Sequence, residues 1–224
     1  MTFPLGLPAT GYLFTWSSHS TLPAWDELPE VAVQPGKRNG WAELTLATSR
    51  QLAEIGEPLS DGKYLYHFLL RTSGPRYLLL SSQLVLVEAL LDRFSLRERI
   101  VRPVVAISKL VEDLVREPRE YVLGAIYAEI GGFGENLRKI SLFGNDIGGT
   151  ELFASILPRL QPYRVSIRDV ALRREVLSVG RDGEVSFHYS GAASLQHAVT
   201  FLSVLTRDNY VAWPHESGQE PLQS

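Results

Sequence analysis

The chain is 224 residues long, 45% hydrophobic and 21% charged, which suits one globular domain or two small ones and excludes collagen-like, disulfide-stapled and wholly disordered classes. Its 22 basic and 25 acidic residues give a formal net charge of -3, so no global field holds nucleic acid or an anionic membrane, and such a role needs a local patch. Cysteine is absent, which removes thiol catalysis, disulfides and cysteinyl zinc sites and agrees with a reducing cytoplasm.

Met1 to Trp16 lacks a basic leading region and is interrupted by Pro4, Gly6, Pro8 and Gly11, unlike a signal peptide. The longest apolar run, within Tyr77 to Leu91, is broken by Ser81, Ser82, Gln83 and Glu88, too short and polar to span a bilayer. The expectation is a soluble, cytoplasmic protein.

Residues 1–60 carry six acidic side chains against three basic ones and are expected to form an irregular N-terminal segment. Short strands are expected near Leu13 to Ser17 and Trp41 to Ala47, with a loop over Thr21 to Gly40, where Pro23, Pro29, Pro35, Gly36 and Gly40 fall. The main domain is expected over 61–213 and a frayed tail over 214–224. Lys63 to Arg71 and Arg76 to Ser81 are aromatic and aliphatic runs around Thr72-Ser73-Gly74-Pro75, a hairpin pattern. Leu84, Val87, Leu91 and Phe94, then Ile107, Leu110, Val111 and Leu114, recur at helical spacing.

Tyr121 to Ile130 is apolar except at Glu129, and reads as a central strand joined to Leu137–Phe143 through Gly131 to Asn136. Thr150 suits the cap of a short helix. Strands follow over Tyr163–Asp169, Arg174–Val179 and Glu184–Tyr189, the last two joined at the hairpin signal Asp182-Gly183. A helix at Leu195 to Leu202 and a strand at Asn209–Trp213 end the series. The fold class is α+β: a mixed, largely antiparallel sheet with helices packed on it. Its C-terminal part approaches a split βαβ (ferredoxin-like) arrangement with an extra hairpin strand.

Arg159, Arg164, Arg168, Arg173, Arg174 and Arg181 outnumber Asp169 and Glu175 in their stretch. Arg164, Ser166 and Arg168 alternate with Val165 and Ile167, so both arginines leave one strand face. Two consequences are open: a solvent-facing surface able to meet phosphate, or cross-strand pairing with acids such as Glu175 and Glu184. Phe133, in the glycine-rich connection, is a candidate partner contact.

Asp146, between a strand and Gly148-Gly149-Thr150, and Asp182, on the later hairpin, are the candidate Mg²⁺ ligands, with Asp169 or Glu129 as further acids. In outline the pair resembles the metal-binding strand and turn of class III nucleotidyl cyclases. Asp146-Ile147-Gly148-Gly149-Thr150 is one residue short of that family's Asp-Ile-x-Gly-x-Thr pattern, and Arg181 separates Gly180 from Asp182, so no family is assigned on it. The commoner role of such residues is to start turns and cap helices. No Walker, Gly-x-Ser-x-Gly or His-Glu-x-x-His pattern occurs.

The leading expectation is therefore a non-enzymatic binding or adaptor component of a larger assembly, contacting a protein partner or nucleic acid without a cofactor. The rivals are a metal-dependent nucleotide- or nucleic-acid-acting enzyme using Asp146 and Asp182, and a structural assembly subunit.

Overall fold

The computed structural model of the chain describes residues 10–16, 31–34, 41–52, 56–71, 78–93, 100–118, 120–131, 138–188, 200–205 and 210–212. Two compact units divide it, Met1–Pro103 and Val104–Ser224.

The first unit contains β1 (Thr10–Trp16), β2 (Val31–Gln34), β3 (Trp41–Thr48), β4 (Glu57–Pro58), β5 (Tyr64–Arg71), β6 (Leu78–Ser81), α1 (Leu84–Arg93) and β7 (Ile100–Val101). Its strands pair antiparallel in the order β1-β6-β5-β3-β2, with β4 added to β5 and β7 to β1. Alternation decides which side chains go inward. Leu44 and Leu46 of β3 and Tyr66, Phe68 and Leu70 of β5 share a core with Leu86, Val87, Leu90 and Leu91 of α1. The Tyr66 hydroxyl accepts the Leu52 amide at 2.7 Å, and a Cβ on Gly56 would stand 2.7 Å from that oxygen. Only glycine fits there.

A boundary after residue 60 would pass between β3 and β5, whose ladder runs from Trp41↔Arg71 to Thr48↔Tyr64. That ladder ties the acidic stretch to the hairpin, and the division falls instead at Pro103. The turn of the β5–β6 hairpin, and the Thr21 to Gly40 loop apart from β2, lie outside the described residues.

The second unit contains β8 (Val104–Val105), α2 (Ile107–Arg116), β9 (Tyr121–Ile130), β10 (Lys139–Phe143), α3 (Glu151–Ile156), β11 (Leu160–Asp169), β12 (Arg174–Gly180), β13 (Glu184–Phe187), α4 (residues 200–205) and β14 (Val211–Ala212). The main sheet runs β10-β9-β11-β12-β13, antiparallel throughout. The expected α+β class holds, and β10–α3–β11 is a split βαβ unit. The strand filling its gap is β9, which precedes the unit in sequence. β14 pairs with β8, where the Ala106 amide donates to the Tyr210 carbonyl at 2.7 Å.

Ile107, Leu110 and Val111 of α2 are buried, and the helix lies against β9 and β11. Val165 and Ile167 of β11, Leu177 and Val179 of β12, and Val185 and Phe187 of β13 are buried as well. Thr150 caps α3, its Oγ1 accepting the Phe153 amide at 3.3 Å, and Gly183 takes φ 79° in the β12–β13 turn, the conformation that Asp-Gly turns supply. The expected segment Leu195 to Val199 and the tail beyond Ala212 lie outside the described residues.

Candidate binding surface

Alternation aligns Arg164, Ser166 and Arg168 of β11 beside Ser178 and Glu175 of β12, and these beside Glu184, Ser186 and His188. This face is knitted together. Arg164 donates from Nη1 to Glu184 at 2.7 Å and from Nη2 to Ser186 Oγ at 3.0 Å. Ser166 and Ser178 share a 2.7 Å hydrogen bond, and Ser178 Oγ lies 2.6 Å from His188 Nε2. Arg168 folds back to donate to the Arg173 carbonyl. Of the two roles open to the arginines, Arg164 takes the cross-strand pairing with Glu184.

A serine hydroxyl against an imidazole has the geometry of an activated nucleophile. Ser178, however, is mid-strand and 3% exposed, with its oxygen also engaged by Ser166. A substrate carbonyl has no approach to it, and the contacts serve to satisfy buried polar groups.

Arg173 closes the β11–β12 turn and Arg174 opens β12; Arg173 is exposed, with φ 53°, and Arg174 is half-buried. Phe133 lies outside the described residues. Asp146 accepts the Gly149 amide at 3.2 Å and Asp182 the Glu184 amide at 3.2 Å, as turn residues do. Their anchors are apart: the Ile147 amide bonds the Leu123 carbonyl beside Ile167, and the Arg181 amide bonds the Tyr163 carbonyl. Four residues along β11 separate these levels, about 13 Å at strand rise, so the two turns stand at different levels of the sheet. Asp169 is buried and accepts the Leu172 amide at 2.8 Å, and Glu129 is exposed on β9. Among the described residues no group of three His, Asp or Glu side chains has metal-binding geometry.

A cleft of about 590 Å³ opens between α2 and α4, lined by Leu110, Asp113, Glu117, Tyr121, Phe201 and Tyr210 among others. The Tyr210 hydroxyl donates to Asp113 at 2.8 Å, and Tyr121 and Phe201 meet edge to face with centroids 5.1 Å apart. Burial, reinforced by the Asp169 and Glu120 carboxylates, pushes the Tyr121 pKa up to about 12, so the phenol stays protonated at neutral pH and acts as a packing group.

Among the described residues the sheet ends at β10. The Ile130 amide bonds the Arg138 carbonyl at 3.1 Å, and the Gly144 amide bonds the Gly124 carbonyl at 2.9 Å. Given the register Lys139↔Glu129 to Phe143↔Ala125, hydrogen-bonded pairs fall at 138, 140, 142 and 144. The peptide groups of Lys139, Ser141 and Phe143 therefore point away from β9. Their side chains are exposed, Phe143 at 68%, with its ring edge-on to Tyr127 at 5.7 Å. Leu152, on the helix that follows, is 66% exposed. Sequence reading identified the strand but passed over its edge. The available signal was Phe143 on the polar side of the alternation Lys139-Ile140-Ser141-Leu142-Phe143.

No family model matches the chain, and the comparison with curated proteins gives no match.

Proposed function

We propose that the chain is a non-enzymatic, protein-binding component of a larger assembly, which takes up a partner's strand on the free edge of β10. The observation that carries this reading is the row of outward peptide groups at Lys139, Ser141 and Phe143, flanked by exposed Phe143. Such an edge is a template for strand addition, in which main-chain hydrogen bonds supply affinity and alternate side chains supply selectivity. A protein partner is favoured over nucleic acid because Arg164 is committed to Glu184 and Ser186, which leaves that face less charge for phosphate. A cytoplasmic setting belongs to the same proposal, on the cysteine-free composition.

Photo-crosslinking tests it. Benzoylphenylalanine in place of Phe143 should capture protein in the native host, and Ser141→Pro in the same chain should abolish capture. The proline removes an outward N–H while leaving the bonds to β9 intact. Capture that persists in Ser141→Pro, or nucleic acid captured at Arg173 with no protein adduct at Phe143, overturns the reading.

A further inference from the structure

We infer that the strand added to β10 is β10 of a second copy of this chain, antiparallel and centred on Ser141. This rests on the strand-addition reading above and names its partner.

The geometry is self-complementary. A two-fold axis at Ser141 sets Lys139 opposite Phe143 of the second copy, Ser141 opposite Ser141, and Phe143 opposite Lys139. These are the residues whose peptide groups point outward, so each pair is of the hydrogen-bonded type. Three outward N–H and three outward C=O groups on each copy all find partners. Displacing the register by two residues in either direction leaves only two such pairs, so the centred arrangement gives the longest ladder. Isologous pairing of one patch with itself is also the commonest route to a closed dimer.

Charge fits the same register. A lysine on an edge strand ordinarily keeps edges apart, and a pairing centred on residue 139 would oppose two ammonium groups. The register centred on Ser141 separates them: each Lys139 ammonium stands over the Tyr163 ring of its own chain at 5.8 Å, and its alkyl stem comes opposite the exposed Phe143 ring of the second copy. Phe143 already meets Tyr127 edge-on, so the stem of the incoming Lys139 adds apolar contact to an aromatic pair.

Sedimentation equilibrium over a wide concentration range should show the wild-type chain approaching twice its mass of 25.0 kDa, and Ser141→Pro remaining at the chain mass, folded, with a melting temperature that no longer rises with concentration as that of the wild type does. Cysteine scanning reads the register independently, because the chain holds no native cysteine. Cα atoms of a hydrogen-bonded antiparallel pair stand about 5.5 Å apart, inside the roughly 4.4–6.8 Å that a disulfide spans. Ser141→Cys should thus oxidise to a covalent dimer. Lys139→Cys alone should not, whereas Lys139→Cys combined with Phe143→Cys should.

A wild-type monomer at every concentration overturns the inference, as does a dimer unaffected by Ser141→Pro, or Lys139→Cys cross-linking as readily as Ser141→Cys. The composition of the photo-adduct separates the two readings. An adduct of this chain with itself supports the second copy. An adduct with another protein, lost in Ser141→Pro, sustains strand addition and removes the second copy.

Discussion

Arg164 shows how a residue that looks free in the sequence is committed by its neighbours. Its guanidinium and the Glu184 carboxylate are 29% and 23% exposed and 2.7 Å apart. Arg164→Gln leaves a largely covered carboxylate without its cation, and the expected loss is about 1–3 kcal/mol of stability, the usual cost of removing a charged hydrogen-bond partner. Adding Glu184→Gln should recover part of that loss, and denaturant unfolding of the two single variants and the double variant measures the coupling. Tyr121 gives a second test. Its folded pKa, about 12, lies above the roughly 10 of an unfolded tyrosine. Between these values the folded chain binds the proton more tightly than the unfolded one, so the group's contribution is complete below pH 10 and declines as pH rises towards 12. The melting temperature of Tyr121→Phe should accordingly fall less over that interval than that of the wild type.

At the scale of the element, β10 has two sets of peptide groups with opposite duties. Leu142 bonds β9 and Ser141 faces outward, as the bonds at Arg138 and Gly144 require. Leu142→Pro should lower stability by about 1–3 kcal/mol, because it strands a carbonyl of β9, while Ser141→Pro, whose N–H points away from β9 on an edge strand, should cost less in protein dilute enough to be monomeric. Thermal melts of the pair in dilute protein check the assignment, and a larger loss for Ser141→Pro than for Leu142→Pro would mean that β10 pairs in the other phase. The α3 cap is a smaller matter: Thr150→Ala should cost about 1 kcal/mol, read from the same melts.

For the whole molecule, hydrogen exchange over minutes to hours should rank the strands of the second unit by their enclosure. β9 and β11 have paired strands on both sides and α2 against them, so their amides should exchange slowest. The amides of Lys139, Ser141 and Phe143 should exchange fast in dilute protein and slow as the concentration rises into the range of the dimer. Slow exchange at those three positions in the monomer would contradict a free edge.

Local chemistry made the elements of the second unit legible in the sequence. Period-two alternation marked the two faces of β11, Asp182-Gly183 marked the turn where Gly183 has positive φ, and Thr150 marked the start of α3, because each depends on a few adjacent residues. The tertiary structure alone decided what lay on each face and edge. Alternation places Arg164 on a polar face but cannot choose between solvent and Glu184, twenty positions later, since that choice depends on strand register. The same limit hid the edge. A run of five residues says nothing about whether both sides will be paired; the order β10-β9-β11 shows that no strand among the described residues pairs with the peptide groups of Lys139, Ser141 and Phe143. The turns that carry Asp146 and Asp182 likewise stand at different levels along β11, a placement that separation in sequence does not encode.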